Sequence, residues 1–318
     1  MSKPELLLIE PMTPDVEAAL EAEYTVHRYY LPGGHEAALE ARPRVSAVVT
    51  GGGSGLGNDW IEAMPELGII AINGVGTDRV DLSFARERGI DVTTTPGTLT
   101  EDVADMALAL ILAVLRRVVE GDAFLRAGRW AAEEPFPLGG SLKGRRLGIL
   151  GLGQIGRALG ARAEIFGMKV RYWNRRPVDV GDWPALPTPE TLAEDSDVLA
   201  VCVAATPETR GIVDARVLAA LGSQGVLVNV ARGSVIDEPA LIAALSSGGI
   251  AAAGLDVFEN EPRIREEFFT LPNTVLVPHQ ASATVETRRA MADLVLANLA
   301  ARRAGDRPPS VVNQERRA

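Results

Sequence analysis

The sequence predicts an α/β fold of two doubly wound parallel-sheet domains. Three observations predict it. Short β-like runs alternate with helical patterns from one end of the chain to the other. At 318 residues the chain is long enough for two separate cores. The alternation is interrupted at a polar, Pro- and Gly-containing stretch from Ala127 to Gly144, which reads as an arm or linker, and it restarts at Leu147. Strand–helix alternation means parallel strands, because each right-handed crossover lays a helix on one face of the sheet.

In the first hundred residues the strands read Leu6–Ile9, Val45–Thr50, Leu67–Ile72 and Ile90–Thr95. Helical spacing runs over Pro14–Glu23 and Asp81–Arg88 between them. A longer helix is predicted over Thr100–Val118, with Thr100 as cap and acids at 101 and 102 in its first turn. Beyond the arm the strands are Leu147–Leu150, Lys169–Trp173, Asp197–Val203, Val226–Val230, Ile250–Leu255 and Thr274–Val277. A last helix runs over Thr284–Ala304.

Composition narrows the function. A net charge of −10 argues against non-specific nucleic-acid binding, which needs clustered Lys and Arg to displace counterions. The amino terminus has only four consecutive apolar residues, too few for a signal-peptide core. The longest apolar stretch, Met106 to Leu115, falls far short of the ~20 residues a membrane span needs. The single cysteine, Cys202, lies in an apolar run and reads as a small buried hydrophobe. No disulfide within the chain follows from one cysteine, so a reducing, cytoplasmic setting is expected.

Leu147–Leu150 leads directly into Gly151-Leu-Gly153-Gln154-Ile155-Gly156, and a helical pattern follows to Phe166. A GxGxxG carries weight in this context. The first glycine permits a tight turn, the second lets backbone approach a pyrophosphate, and the third allows close helix–strand packing. The following strand ends in Asn174-Arg175-Arg176. An NAD-specific site has an acid there to bond the ribose 2′-hydroxyl, and an acid would repel a 2′-phosphate. Two arginines bind that phosphate with charge-assisted bonds, so NADPH is expected, with NADH the weaker cofactor. Gly51-Gly-Gly-Ser-Gly-Leu-Gly57 also follows a strand but lacks the Lys-Ser/Thr of a phosphate loop. It reads either as a flexible connection or as part of a substrate site.

Three further stretches carry chemistry. They are Val228-Asn-Val-Ala-Arg232-Gly-Ser, Gly254-Leu-Asp256-Val-Phe-Glu-Asn-Glu261-Pro and Val277-Pro-His279-Gln-Ala-Ser-Ala-Thr284. In this order and spacing the chain resembles the D-isomer-specific 2-hydroxyacid dehydrogenases, nearest to the glyoxylate/hydroxypyruvate and the hydroxyphenylpyruvate reductases. The resemblance extends to Asn73-Gly-Val-Gly-Thr-Asp-Arg-Val80 and the stretch from Leu99 to Arg117, and so covers nearly the whole chain. It implies that Arg232 binds the substrate carboxylate, that His279 is the acid/base and that Glu261 pairs with it. It further implies that Asp256 contacts the nicotinamide end and that the backbone amides of Val75 and Gly76 receive the carboxylate. Val203, Val230 and Ala231 are expected cofactor contacts beside the glycines, and no metal is expected.

The reaction asks for these groups independently. Hydride delivery to a 2-oxo carbon builds negative charge on the carbonyl oxygen, and histidine is the side chain suited to supply a proton near neutral pH. A neighbouring carboxylate favours a protonated imidazole and fixes its tautomer. A guanidinium orients the substrate's permanent carboxylate through a planar fork. Of the three histidines, His27 and His35 lie in a polar segment and read as surface residues, whereas His279 follows a strand.

Two positions depart from the family pattern: Gln280-Ala281 follows the histidine where an isoleucine-like residue and glycine are common, and Asn73 stands where a serine is common. The resemblance implies a homodimer formed through the cofactor domains, with arm residues Trp130 and Phe136 able to reach a partner subunit's substrate site. The expected first domain is discontinuous, residues 1–99 with 285–318, flavodoxin-like and substrate-binding; residues 100–284 form the Rossmann cofactor domain. The expected activity is reduction of a small 2-oxo acid of the glyoxylate or hydroxypyruvate type to the D-hydroxy acid. An aromatic, hydroxyphenylpyruvate-type substrate stays open, as does a dinucleotide-sensing, corepressor-like binding protein.

Overall fold

Along the first strand, β1 (Glu5–Leu8), successive leucines turn to opposite faces of a sheet. Leu7 packs with Val48, Ile70 and Val92, whereas Leu6 and Leu8 pack with Ala47, Val49, Ile69 and Ala71. Both faces are buried, as the near-continuous apolar strands of a parallel sheet require. The computed structural model describes residues 3–178 and 181–314. With β2 (Thr25–Arg28), β3 (Val45–Gly51), β4 (Ile69–Asn73) and β5 (Asp91–Thr93), the sheet has the order β2-β1-β3-β4-β5, all parallel. That is the flavodoxin-like order. Val295 and Leu299 of the last helix, Val285–Ala304, pack on the face that holds Leu6 and Leu8. The chain thus returns at its end to cover the sheet with which it began. It divides into two compact units, Met1–Leu99 with Thr284–Ala318 and Thr100–Ala283. The expected domain ends at residues 1 and 318 lie outside the described residues.

The second unit holds β6 (Arg146–Leu150), β7 (Lys169–Trp173), β8 (Val198–Val201), β9 (Val226–Asn229), β10 (Ala252–Leu255) and β11 (Thr274–Leu276). Their order is β11-β10-β9-β8-β6-β7, again all parallel. One parallel bridge, Tyr172 to Ala185, adds a rudimentary strand beyond β7. Counting it, the order contains the 3-2-1-4-5-6 of dinucleotide-binding sheets, with β11 added as a seventh strand beyond β10. The direction of progression reverses between β6 and β8, and ligands bind at the carboxyl ends beside such a switch point.

Two expectations are corrected. The expected helix Thr100–Val118 ends at Leu115, and a second helix, Val118–Arg126, follows a left-handed Arg117 at φ 54°. The returning arm explains the break, because Gly140 N–H donates to the Leu115 carbonyl at 2.7 Å and so ends the ladder there. The other correction concerns His27, expected at the surface. It lies on β2, its side chain is 19% exposed, and its Nε2 meets Glu5 Oε2 at 2.9 Å. His35 is exposed, edge-on to Tyr29 and Trp60. Among the described residues no helix is long and apolar enough to cross a membrane.

Candidate active site

The carboxyl end of β6 is built for a dinucleotide. Gly151 adopts φ 99°, and a Cβ there would lie 2.6 Å from the Val203 backbone nitrogen. Only glycine fits the turn. A Cβ on Gly156 would lie 2.5 Å from the Gly151 carbonyl oxygen, so the helix Gln154–Ile165 can approach β6 only with glycine at that point. Gly153 instead faces open space. No side chain caps this helix, which leaves its first N–H groups and its positive end available to an anion. Gln154 is exposed and Ile155 half-buried at that end. Val203 and Val230 are buried at the ends of the neighbouring strands, with Ala231 half-buried beside them. These residues fit the pyrophosphate of a nicotinamide dinucleotide, which a cradle lined with side chains would not.

Asn174, after β7, accepts the Leu152 N–H at 2.9 Å through its side-chain oxygen. Its amide therefore ties the glycine turn to β7. Arg175 and Arg176 are exposed, and Arg175 Nη1 lies 3.5 Å from Glu208 Oε2. Cys202 follows β8 directly, and burial pushes its thiol up to about 12, too high for a reactive thiolate.

At the ends of β9, β10 and β11 three expected residues come together. His279 Nδ1–H donates to Glu261 Oε2 at 2.6 Å, the proton assigned to nitrogen because a carboxylate only accepts. Glu261 Oε1 accepts the Phe258 N–H at 2.7 Å. Burial by itself would raise the Glu261 carboxyl. The His279 hydrogen bond, the Phe258 N–H and the charges of His279 and Arg232 outweigh it and hold the carboxyl below its usual range. Arg232 is thus electrostatically coupled to the pair. The His279 side chain is 38% exposed.

His279 sits at φ 48°, a left-handed conformation that non-glycine residues seldom adopt and that persists where surroundings over-determine it. Those surroundings are Asp256 and the turn it caps. The His279 N–H donates to the Asp256 carbonyl at 2.8 Å, and the Gln280 and Ala281 N–H groups donate to its two carboxylate oxygens at 2.8 and 3.2 Å. Asp256 is 1% exposed, and its burial raises the carboxyl against those two N–H bonds. Both of its oxygens hold the histidine turn.

This second unit matches the NAD-binding domain of the D-isomer-specific 2-hydroxyacid dehydrogenases over residues 108–281. The chain belongs to that family. It is therefore an NAD(P)-dependent oxidoreductase. The chain is 47% identical to a 2-ketogluconate reductase of Gluconobacter oxydans, over 94% of this chain and 96% of that one. It is 43% identical to a hydroxyphenylpyruvate reductase of Plectranthus scutellarioides, over the same shares of each. The crystal structure of an NADPH-dependent glyoxylate/hydroxypyruvate reductase from Sinorhizobium meliloti, in complex with NADP and malonate, superposes with a TM-score of 0.90 at 42% identity, covering all of both chains.

In the first unit, Val75 is 39% exposed and Gly76 half-buried in the turn after β4. A Cβ on Gly74 would lie 3.5 Å from the Gly52 nitrogen, so this turn abuts the Gly51–Gly57 segment. That segment is pinned: Ser54 donates its hydroxyl to Glu10, whose carboxylate fills the space a Gly51 side chain would need. Of the arm aromatics, Phe136 packs against Phe124 with ring centroids 5.0 Å apart and the rings tilted by 54°, while Trp130 stands 71% exposed.

Sequence reading missed the residues that hold the functional ones. Asn229, fully buried, accepts the Ala231 N–H at 3.0 Å and donates to the Arg232 carbonyl at 2.9 Å. An Asn at a strand end, two residues before a turn, is the signal that would have found it. Glu238 is the other such residue.

Proposed function

We propose that this enzyme reduces a small 2-oxo acid of the glyoxylate or hydroxypyruvate type to the D-hydroxy acid, with NADPH preferred over NADH. The observation that carries the reading is the 2.6 Å His279–Glu261 contact with the charge of Arg232 coupled to it. Such a group can hold a carboxylate and deliver a proton at once. When bound, the reduced nicotinamide supplies the hydride that the 2-oxo carbon accepts. His279 Nε2 gives its proton to the carbonyl oxygen, so the C=O becomes CH–OH, and Glu261 holds the imidazolium in place as the charge develops. Arg232 orients the substrate carboxylate through its planar fork. In the first unit we assign Val75 and Gly76 as further substrate contacts through their backbone amides. Gly151, Gly153, Gln154, Ile155 and Gly156, with Val203, Val230, Ala231 and Asp256, are the proposed cofactor contacts, and Asn174, Arg175 and Arg176 those of the 2′-phosphate. A homodimer, with the exposed Trp130 reaching toward a partner subunit, completes the proposal.

The test is a panel of 2-oxo acids assayed by NADPH absorbance, with chiral analysis of the product. Glyoxylate and hydroxypyruvate are expected to be good substrates and an aromatic 2-oxo acid poorer; hydroxypyruvate is expected to give D-glycerate. An L product would overturn the mechanism, whereas a tenfold preference for hydroxyphenylpyruvate would overturn only the size ranking. A second reading, a longer hydroxylated 2-oxo acid, is favoured by the 47% identity to the 2-ketogluconate reductase. 2-Ketogluconate therefore belongs in the panel. A protein that binds NADPH and turns over none of these acids would be a dinucleotide sensor instead.

Arg232→Lys keeps the charge and loses the fork. Substrate KM is expected to rise and kcat to fall through misorientation, read from initial rates over a substrate series. A lysine variant equal to the parent would move carboxylate recognition to the Val75 and Gly76 amides.

A further inference from the structure

Glu238 is the first residue of the helix Glu238–Ser247 and only 3% exposed, an unusual place for a carboxylate. Its Oε1 accepts the Glu259 N–H at 2.6 Å. Its Oε2 lies 3.3 Å from Arg265 Nε, near enough for an ion pair but badly angled for a hydrogen bond. The peptide it grips makes a second close contact. Gly233, next to Arg232, packs so closely on the Phe258–Glu259 peptide that any side chain there would run into it. The N–H of the same Phe258 donates to Glu261 Oε1. Three contacts thus fix one short loop between the end of β10 and Glu261.

We propose that Glu238 is a positioning residue for the reaction, holding the loop 257–261 so that Glu261 presents its carboxylate to His279. The proposal rests on the reading of Glu261 and His279 as the acid/base pair. The loop needs such a brace because its backbone belongs to neither helix nor strand, and Asn260 at its tip takes φ 61°. Glu238 reaches it from the helix that begins six residues after Arg232, so one side chain registers the carboxylate anchor against the proton-donating pair. Burial raises the Glu238 carboxyl while the Glu259 N–H and Arg265 oppose the rise, and the Glu259 carboxylate adds to it. Glu259 in turn faces Arg210 at 3.6 Å. What the loop uses is the acceptor oxygen at the right reach.

The test compares Glu238→Ala, Glu238→Asp and Glu238→Gln. Glutamine keeps an acceptor at the same reach, whereas aspartate keeps the charge and withdraws the oxygen. Alanine and aspartate are expected to speed hydrogen exchange over residues 257–262 about tenfold. Both are expected to lower kcat roughly ten- to hundredfold with NADPH dissociation unchanged. Glutamine is expected to restore most of the rate. Glu238→Asp serves where the alanine variant folds poorly. Combined with Glu261→Gln, the loss should not add, as for residues acting through one interaction. Unchanged exchange, additive losses, or an aspartate variant that outperforms glutamine would overturn the proposal. If Glu261→Gln alone leaves the pH profile unmoved, the acid/base reading fails, and the exchange data alone then decide whether Glu238 braces the loop.

Discussion

Replacing His279 with alanine is expected to lower kcat by about 10²–10⁴ while NADPH still binds. The residue lies just beyond β11, held in a left-handed turn by Asp256, with Nδ1 engaged by Glu261. Nothing in the glycine turn after β6 depends on it, so cofactor affinity, read by fluorescence titration, should survive. Glu261→Gln refines the test. Reduction needs a protonated imidazole, so the rate falls as pH rises through the titration of the pair. The carboxyl of Glu261, which burial alone would raise, is held below its usual range by the His279 hydrogen bond, the Phe258 N–H and the nearby positive charges. The 2.6 Å hydrogen bond joins the two groups, so a change of charge on one is felt by the other. Removing the charge is expected to move the alkaline limb of the kcat profile to lower pH. A limb that stays in place would argue that the two residues do not act as a pair.

Both sheets were readable because parallel strands buried on two faces tend to leave apolar runs, and ten of the eleven strands among the described residues were read from such runs and the turn residues between them. β2 was not: Thr25-Val-His-Arg lies at a sheet edge, half-buried, and its polar residues pair with Glu5 and Glu17. β5 was read too long for a similar reason, since Thr94 and Thr95 continue its pattern while their N–H groups go to Ser310 and Gly74. The break at Arg117 was hidden because it depends on Gly140, a residue of the arm that returns to Leu115. The residues proposed to react were readable since each stands in a motif that the chemistry explains. Asn229, Glu238 and the holding role of Asp256 were not, because their work is to satisfy backbone groups of loops that only the fold brings near. A carboxylate that caps a turn and one that takes part in catalysis look alike in a sequence.

Arg175→Ala is expected to cost roughly ten- to a hundredfold in kcat/KM with NADPH, because each arginine–phosphate bond contributes ~1.5–3 kcal/mol. With NADH the same variant should be nearly unchanged, since the 2′-hydroxyl offers the guanidinium no charge. The position favours this. Asn174 already gives its oxygen to the Leu152 N–H, so no carboxylate stands at the end of β7 to repel a phosphate, and Arg175 and Arg176 follow it at the surface. Glu208 is the one opposing group that Arg175 contacts among the described residues, at 3.5 Å, with both side chains more than half exposed. An exposed pair of this kind is worth ~1 kcal/mol or less and must open for the phosphate to enter. Glu208→Gln is therefore expected to act in the opposite direction, tightening NADPH severalfold and leaving NADH alone. Dissociation constants for 2′,5′-ADP and 5′-AMP, measured calorimetrically on both variants, separate the phosphate from the rest of the dinucleotide. Equal losses with both nucleotides in the Arg175 variant would show that the arginine supports the fold of the turn and does not read the phosphate.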